Sequence, residues 1–346
     1  MAAFYIVSKI ILIVIILLVS LFIAMYTTLA ERKVAAFMQD RIGPNRAGPL
    51  GILQPLCDGI KLFTKEEFIP KASNKFLFIL GPSIAMIMAC LGSAVIPWAP
   101  DIIINGQIIP IQVANLDFGI LYVFAVVALG VYGAIMGGWA SNNKYSLLGA
   151  VRAASQNISY EIPMGLSIVA LIIITGTLNM REIVEGQAGL AWNIFVQPLG
   201  FLLFLICAFA ETNRLPFDLP ECENELNGGY HLEYSSMKLG FYLFAEYINM
   251  FVSSAIIATL YLGGYNFPGI AKLYEIGLHQ NIIALLGILV LFLKIILIIF
   301  FFIWVRWTIP RFRYDQLMKL GWKYLIPLAI LNIIITSVIE YFTKST

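Results

Sequence analysis

The sequence predicts an all-α integral membrane protein of about eight transmembrane helices, with long loops on one face and an interfacial amphipathic helix. Three observations lead there. Sixty per cent of the 346 residues are hydrophobic and only 12% are charged, about half the charged share of a soluble domain. Uncharged stretches of about 20 residues, long enough to cross a bilayer core, recur along the chain. Alternate loops differ sharply in lysine and arginine content.

Helices are expected at about 9–30, 76–98, 118–140, 159–180, 193–211, 240–263, 282–305 and 324–342, forming a single polytopic membrane domain over 1–346. The first is too long for the apolar region of a signal peptide. It ends at Glu31-Arg32-Lys33 without a small-residue cleavage motif, so it is read as retained. The third carries Gly133 and Gly137 as a GxxxG, which permits close helix packing. The fourth, sixth and seventh each enclose an ionisable residue: Glu161, Glu246 and Lys294. The segment PDIIINGQIIPIQVANLD before the third is β-branched with turn residues and suits a small external hairpin without chemistry.

Loops 31–75, 141–158, 212–239 and 306–323 hold seventeen of the 22 basic residues, whereas the opposite side has only Lys9, Arg181, Lys272 and Lys344. The positive-inside rule then puts these loops in the cytoplasm and both termini outside. An even helix count agrees. No internal repeat is evident, against the inverted repeats of many transporters.

Composition also excludes chemistry. A net charge of +2 gives no field for nucleic acid. Cys57, Cys90, Cys207 and Cys222 are scattered without a CxxC pair, so neither zinc nor an iron–sulfur cluster is expected. His231 and His279 fall in loops, where they do not form a pair of haem ligands. No metal is predicted, and any redox cofactor belongs to another chain.

Within GPLGILQPLCDGIKLFTKEE, Leu53, Leu56, Ile60 and Phe63 recur at helical spacing while Asp58, Lys61 and Lys65 point elsewhere. That pattern suits a helix lying in the membrane interface. It serves either as a surface anchor or as a lip over a lateral opening for a lipid-like substrate. DRIGPNRAGPLG upstream reads as an ordered turn.

Ionisable residues inside membrane helices are costly and usually functional. Glu161 has an interfacial alternative and Lys294 a snorkelling one. Glu246 is the strongest of the three, because Tyr242 and Asn249 share its helix face and are placed to hydrogen-bond it. The long loop ETNRLPFDLPECENEL stands out further. Glu211, Asp218, Glu221, Glu223, Glu225 and Glu233 oppose a single Arg214 there. A solvated charge run is the ordinary reading. Pro216, Pro220 and the alternating Leu215, Phe217 and Leu219 favour a packed loop instead. Packed carboxylates raise one another's pKa, so the loop, Glu161 and Glu246 together suit a proton-handling chain. The last basic loop, VRWTIPRFRYDQLMKLGWK, is suited to headgroups, to the acidic loop or to a soluble partner.

The segments ERKVAAFMQDRIGPNRAGPLGILQPLCDGIKLFTKEE, AETNRLPFDLPECENELNGGYHLEYS and IWVRWTIPRFRYDQLM closely resemble the H-subunit family of bacterial respiratory complex I, the NADH-quinone oxidoreductase. The resemblance implies a place at the heel of the membrane arm, in the bacterial inner membrane, among the complex's other membrane and peripheral subunits. It implies a lipid-facing channel for quinone as substrate, with NADH, FMN and iron–sulfur clusters held by partner subunits and no catalysis by this chain alone. Glu31, Arg32, Arg41, Arg46, Asp58, Lys61, Phe63 and Lys65 match family positions near the quinone entrance. Glu161, Glu211, Glu221, Glu223, Glu225 and Glu246 match acids that link the quinone cavity to the proton path, and Arg214 and Asp218 fall in the same loop. Lys294 joins this proton-coupling set as an intramembrane cation. Arg306, Arg311 and Arg313 match the arginine-rich cytoplasmic loop. One departure is that AVVALGVYGAIMGG lacks the acid that some members carry in the third helix. A standalone ion transporter and the related membrane component of a membrane-bound hydrogenase are the competing readings.

Overall fold

The computed structural model describes residues 2–345 except 105, 190 and 278, and the side chains of 2–5, 223, 224, 271 and 345 also lie outside the described set. Among the described residues, seven helices are long and apolar enough to cross a bilayer, and an eighth apolar helix is shorter. The chain is an all-α integral membrane protein.

Helix α1, Ala2–Met38, runs past its expected end at residue 30. ERKVAAFM contains no Gly or Pro, so nothing stops the helix where the apolar run stops. Glu31 and Arg32 therefore sit on a helix rather than in the 31–75 loop. Helix α2, Gln54–Thr64, is the expected amphipathic helix. Leu53, Leu56, Ile60 and Phe63 are all exposed, so its apolar stripe faces away from the protein body, as an interfacial helix requires.

Helix α3, Lys75–Leu91, precedes the hairpin of β1, Ile102–Ile104, and β2, Gln107–Ile109, paired antiparallel with Ile103 opposite Ile108. Helix α4, Gly119–Ala140, follows. Helix α5 is Lys144–Thr175, so the expected loop at 141–158 shrinks to three residues. Asn143 starts the helix, its side chain accepting from the Tyr145 N–H at 2.9 Å, a standard N-cap arrangement. A helix satisfies its own backbone and can continue into water past Lys144 and Arg152. Hydropathy marks the membrane edge, not the helix end.

The expected fifth helix at 193–211 is broken. After α6, Met180–Gly186, come α7, Asn193–Val196, and α8, Pro198–Glu211, separated at Gln197. Pro198 has no N–H to continue the ladder. The break is buried rather than exposed to lipid. Gln197 donates from Nε2 to Thr336 Oγ1 at 2.5 Å and accepts from Asn332 Nδ2 at 3.0 Å. Non-helical backbone at membrane depth survives where protein surrounds it.

The acidic loop holds α9, Glu223–Leu226. Helix α10, Ser236–Tyr261, is the most buried span, packed by α1, α2, α3 and α12. Helices α11, Ile270–Glu275, α12, Gln280–Thr308, and α13, Tyr314–Lys319, complete the chain with α14, Ile326–Ser345. A π-helical turn at Leu320–Leu325 joins α13 to α14.

The GxxxG of α4 does what its spacing suggests. A Cβ on Gly133 would sit 2.8 Å from the Gly81 carbonyl oxygen of α3, and one on Gly137 would land on the Tyr242 hydroxyl. That hydroxyl donates to the Gly133 carbonyl at 3.0 Å. Gly137→Ala is therefore expected to expel Tyr242 and destabilise the bundle by about 1–3 kcal/mol, the usual cost of overpacking. A lowered melting temperature in mild detergent checks this, and an unchanged one refutes it.

Candidate functional site

Helix α10 organises the site because it presents different faces to different partners. Glu246 and Tyr247 are neighbours in sequence, so they point about 100° apart around the helix. Glu246 turns inward and accepts a hydrogen bond from the Tyr230 hydroxyl at 3.0 Å. The same hydroxyl lies 3.4 Å from Glu221 Oε1, and His231 Nδ1 also lies 3.4 Å from that oxygen. The expected partners of Glu246 are different. Tyr242 donates to backbone instead, while Asn249 lines the cavity that Glu246 faces.

That cavity, of about 90 Å³, lies among α3, α4, α5, α8 and α10. At the acidic-loop end it is lined by Glu211, Asn213, Asn157, Tyr230 and Glu246. Asn249 and Ser253 follow along α10, and Ile120, Ile256 and Leu260 close the far end. It has room and polar lining enough for a few waters at the acidic end. Glu211 lies within electrostatic reach of Glu161, so the structure brings these two acids together.

Tyr247 turns the other way, toward α1, and its hydroxyl donates to Glu31 Oε2 at 2.8 Å. Glu31 is buried between two guanidiniums: Arg214 at 3.6 Å, and Arg306, which pairs with its other oxygen. Arg214 also stacks on the Tyr247 ring, 4.1 Å from its centroid. Its Nε and Nη2 are buried without a hydrogen bond. Burial opposes its charge, but Tyr247, Glu31, Glu246 and Glu221 together outweigh that and push its pKa up. Arg214 thus feels the acids on both sides of α10.

The rest of the acidic loop is packed. Asp218 accepts from Arg311 at 2.7 Å, and Arg311 also donates to Cys222 Sγ at 2.8 Å. Burial, helped by the charge of Glu221, lifts the Asp218 carboxyl to about 6 against the pull of Arg311 and Arg306. Between about 4 and 6 the folded state then holds the extra proton, so this group's contribution to stability falls as pH rises through that window. Glu221 behaves oppositely. Burial alone would raise it, but hydrogen bonds with Glu246 and His231 and the charge of Arg214 hold it down at about 2. Crowding therefore does not lift every carboxyl, because cations and hydrogen-bond donors are packed among them.

Other expected site residues lie elsewhere. Glu225 pairs with Arg152 at 2.5 Å and Glu233 accepts from Asn143 at 2.6 Å, tying the loop to the start of α5. Glu223 is in α9, with its side chain outside the described set. Arg32 and Asp58 pair at 2.7 Å, joining α1 to α2. Arg41, Arg46, Lys61, Phe63 and Lys65 are exposed around α2. Arg313 is exposed and pairs locally with Asp315.

Lys294 is not brought to the acids. Its ammonium donates to the carbonyls of Leu262, Gly264 and Asn266 at 2.6–2.7 Å and lies 4.7 Å from the Trp192 ring centroid. That position is about 24 Å along α10 from Glu246 at 1.5 Å per residue. Three carbonyls and a ring face satisfy the cation without a carboxylate, and the lysine staples the turn after α10 to α12.

Sequence reasoning missed Tyr230, His231 and Tyr247. Tyr247 was within reach, since its place beside Glu246 puts it on the neighbouring helix face. Tyr230 and His231 lie on a turn between helices, where no periodicity says which way a side chain points.

The chain matches the NADH dehydrogenase family model over residues 10–337. It is 63% identical over 332 residues to an H subunit of the NADH-quinone oxidoreductase of Cytophaga hutchinsonii, covering 96% of either chain. It is 62% identical to the NADH-quinone oxidoreductase H subunit of Flavobacterium psychrophilum, over 96% of this chain and 97% of that one. For the H subunit of Flavobacterium johnsoniae the identity is 60%, over 98% and 97%.

Proposed function

Because the chain belongs to the H-subunit family of NADH-quinone oxidoreductase, we propose that it forms the quinone access channel of that complex and couples quinone reduction to proton translocation. One observation carries this reading. A row of ionisable groups, with Glu31, Arg214 and Glu246 buried and Glu221 half-buried, runs from α1, beside the interfacial helix α2, to the internal cavity, and Arg214 is its shared member.

On the α2 side, the exposed apolar residues and the Arg32–Asp58 pair suit a face at which a long-tailed quinone arrives from lipid. Charge appearing there during quinone reduction alters the field at Arg214. That shifts the balance of Arg214 between Glu31 and the Glu221–Glu246 pair, and so the hold on the proton that pair shares. Tyr230, touching both carboxyls, offers the path between them. Polar side chains of the cavity and Glu211 then receive it.

In this reading the basic loops face the cytoplasm and both termini the periplasm, in the bacterial inner membrane. NADH, FMN and the iron–sulfur clusters reside in partner subunits, and this chain turns nothing over alone. The names of the relatives favour quinone chemistry over a standalone transporter or a hydrogenase component.

Glu211→Gln in the assembled complex tests the reading, since glutamine keeps the shape and polarity of glutamate but carries no proton. Proton pumping in inverted vesicles should fall by about tenfold or more, toward the ~10²-fold typical of a lost proton-transfer group. Pumping and quinone reduction at wild-type rates would sink it.

A further inference from the structure

We propose that His231 is the inlet through which protons from the basic-loop face reach Glu221 and then Glu246. The proposal rests on the coupling reading above and adds where that path begins.

The geometry is a continuous line. His231 lies on a one-turn helix, Gly229–His231, in the acidic loop. Its side chain is 18% exposed and that of Glu221 20%, so the pair together reaches the surface, with Nδ1 3.4 Å from Glu221 Oε1. Tyr230 joins Glu221 to Glu246 through one hydroxyl. Past Glu246 lies the internal cavity. Surface, imidazole, carboxylate, phenol, carboxylate and cavity thus follow one another.

Three features set His231 apart from a structural strut. Nδ1 faces Glu221 Oε1 at 3.4 Å, the long end of hydrogen-bonding distance, so the contact is loose rather than locked. A relay must make and break that contact in each cycle. The ring meets Tyr230 edge-on, with centroids 5.2 Å apart and planes at 88°, which lets it reorient without losing its packing partner. Imidazole also has two nitrogens on opposite sides of the ring and exchanges protons near neutral pH. One nitrogen can take a proton from water while the other releases one to a carboxylate, and the two steps together leave the number of protons on the ring unchanged.

The charged surroundings are consistent with this role. Of the helices packed on this turn, α4 has no charged side chain. Helix α5 carries Lys144, Arg152 and Glu161, of which Arg152 is paired with Glu225. Across the loop Glu221 faces the ring, and against burial its hydrogen bonds with Glu246 and His231, the charge of His231 and that of Arg214 keep its carboxyl below the usual range. An ionised carboxylate beside an imidazole favours the protonated ring, so Glu221 recruits the proton to His231, and its onward passage follows when the balance of Arg214 shifts away from Glu221.

The test uses the assembled complex in inverted vesicles, with His231→Ala and His231→Gln beside Glu246→Gln. Both His231 variants should lose proton pumping by about tenfold, most strongly at alkaline pH where free protons are scarce, less than the ~10²–10⁴-fold of a lost general acid because water still penetrates. Added imidazole should restore pumping in His231→Ala and leave Glu246→Gln unchanged. If His231→Ala fails to assemble, His231→Gln, which keeps hydrogen bonding but cannot cycle a proton, carries the test. Wild-type pumping in His231→Gln across the pH range overturns the proposal. So does an equal loss at every pH with no response to imidazole in His231→Ala, the signature of a strut. Wild-type pumping in Glu246→Gln overturns the coupling reading itself. Loss in Glu246→Gln with normal His231 variants overturns only the inlet.

Discussion

Glu246→Gln is expected to cut proton pumping by about 10²-fold while the complex still assembles. The side chain is buried on α10, accepts a hydrogen bond from the Tyr230 hydroxyl and shares another with Glu221. A carboxamide oxygen accepts the Tyr230 bond, so the loop and helix keep their contact. What is lost is the ability to take or release a proton between the Glu221 pair and the cavity. The measurement is NADH-driven acidification of inverted vesicles alongside quinone reduction. Loss of pumping with partly retained quinone reduction places Glu246 on the proton path. Equal retention of both shows that the buried carboxyl is structural.

Glu31→Gln has the second large effect, on assembly and stability. Among the described residues, Glu31 is the carboxylate that pairs with both Arg214 and Arg306, and it also accepts from Tyr247. Removing it leaves Arg214 buried with less counter-charge. Breaking a buried ion pair from one side costs about 3–5 kcal/mol, because the other charge stays desolvated. The exposure of Arg306, 27%, trims that figure, since water partly screens it. The content of assembled complex and its thermal midpoint should both drop. A cycle with Arg214→Met adds a sharper result: Glu31→Met with Arg214→Met should be less damaging than either change alone. Additive losses would show that the two groups are energetically independent.

Much of the fold is legible in the chain itself. Long apolar runs forced spanning helices, since a bilayer leaves backbone groups no other partners. The stripe at Leu53, Leu56, Ile60 and Phe63 announced α2, and Gly133 with Gly137 announced the tight α3–α4 contact. Helix ends were less visible. Helix α1 runs on through Glu31 and α5 begins at Lys144, because helices outlast the membrane wherever no breaker stands. The break at Gln197 was signalled by Pro198 but hidden inside an apolar run.

The site divides the same way. Composition alone marked the acidic loop and Glu246, because carboxylates are rare in so apolar a chain and costly at membrane depth. Which acids act together depended on contacts between segments far apart in sequence. Glu31 on α1 meets Arg214 from the acidic loop and Arg306 from the end of α12. Lys294, grouped with the acids by hydropathy, is instead held by carbonyls of the turn after α10. Residue type sets the desolvation cost wherever a group is buried, and that can be read locally. The partner that offsets the cost is supplied by packing, which in a bundle joins helices from anywhere in the chain.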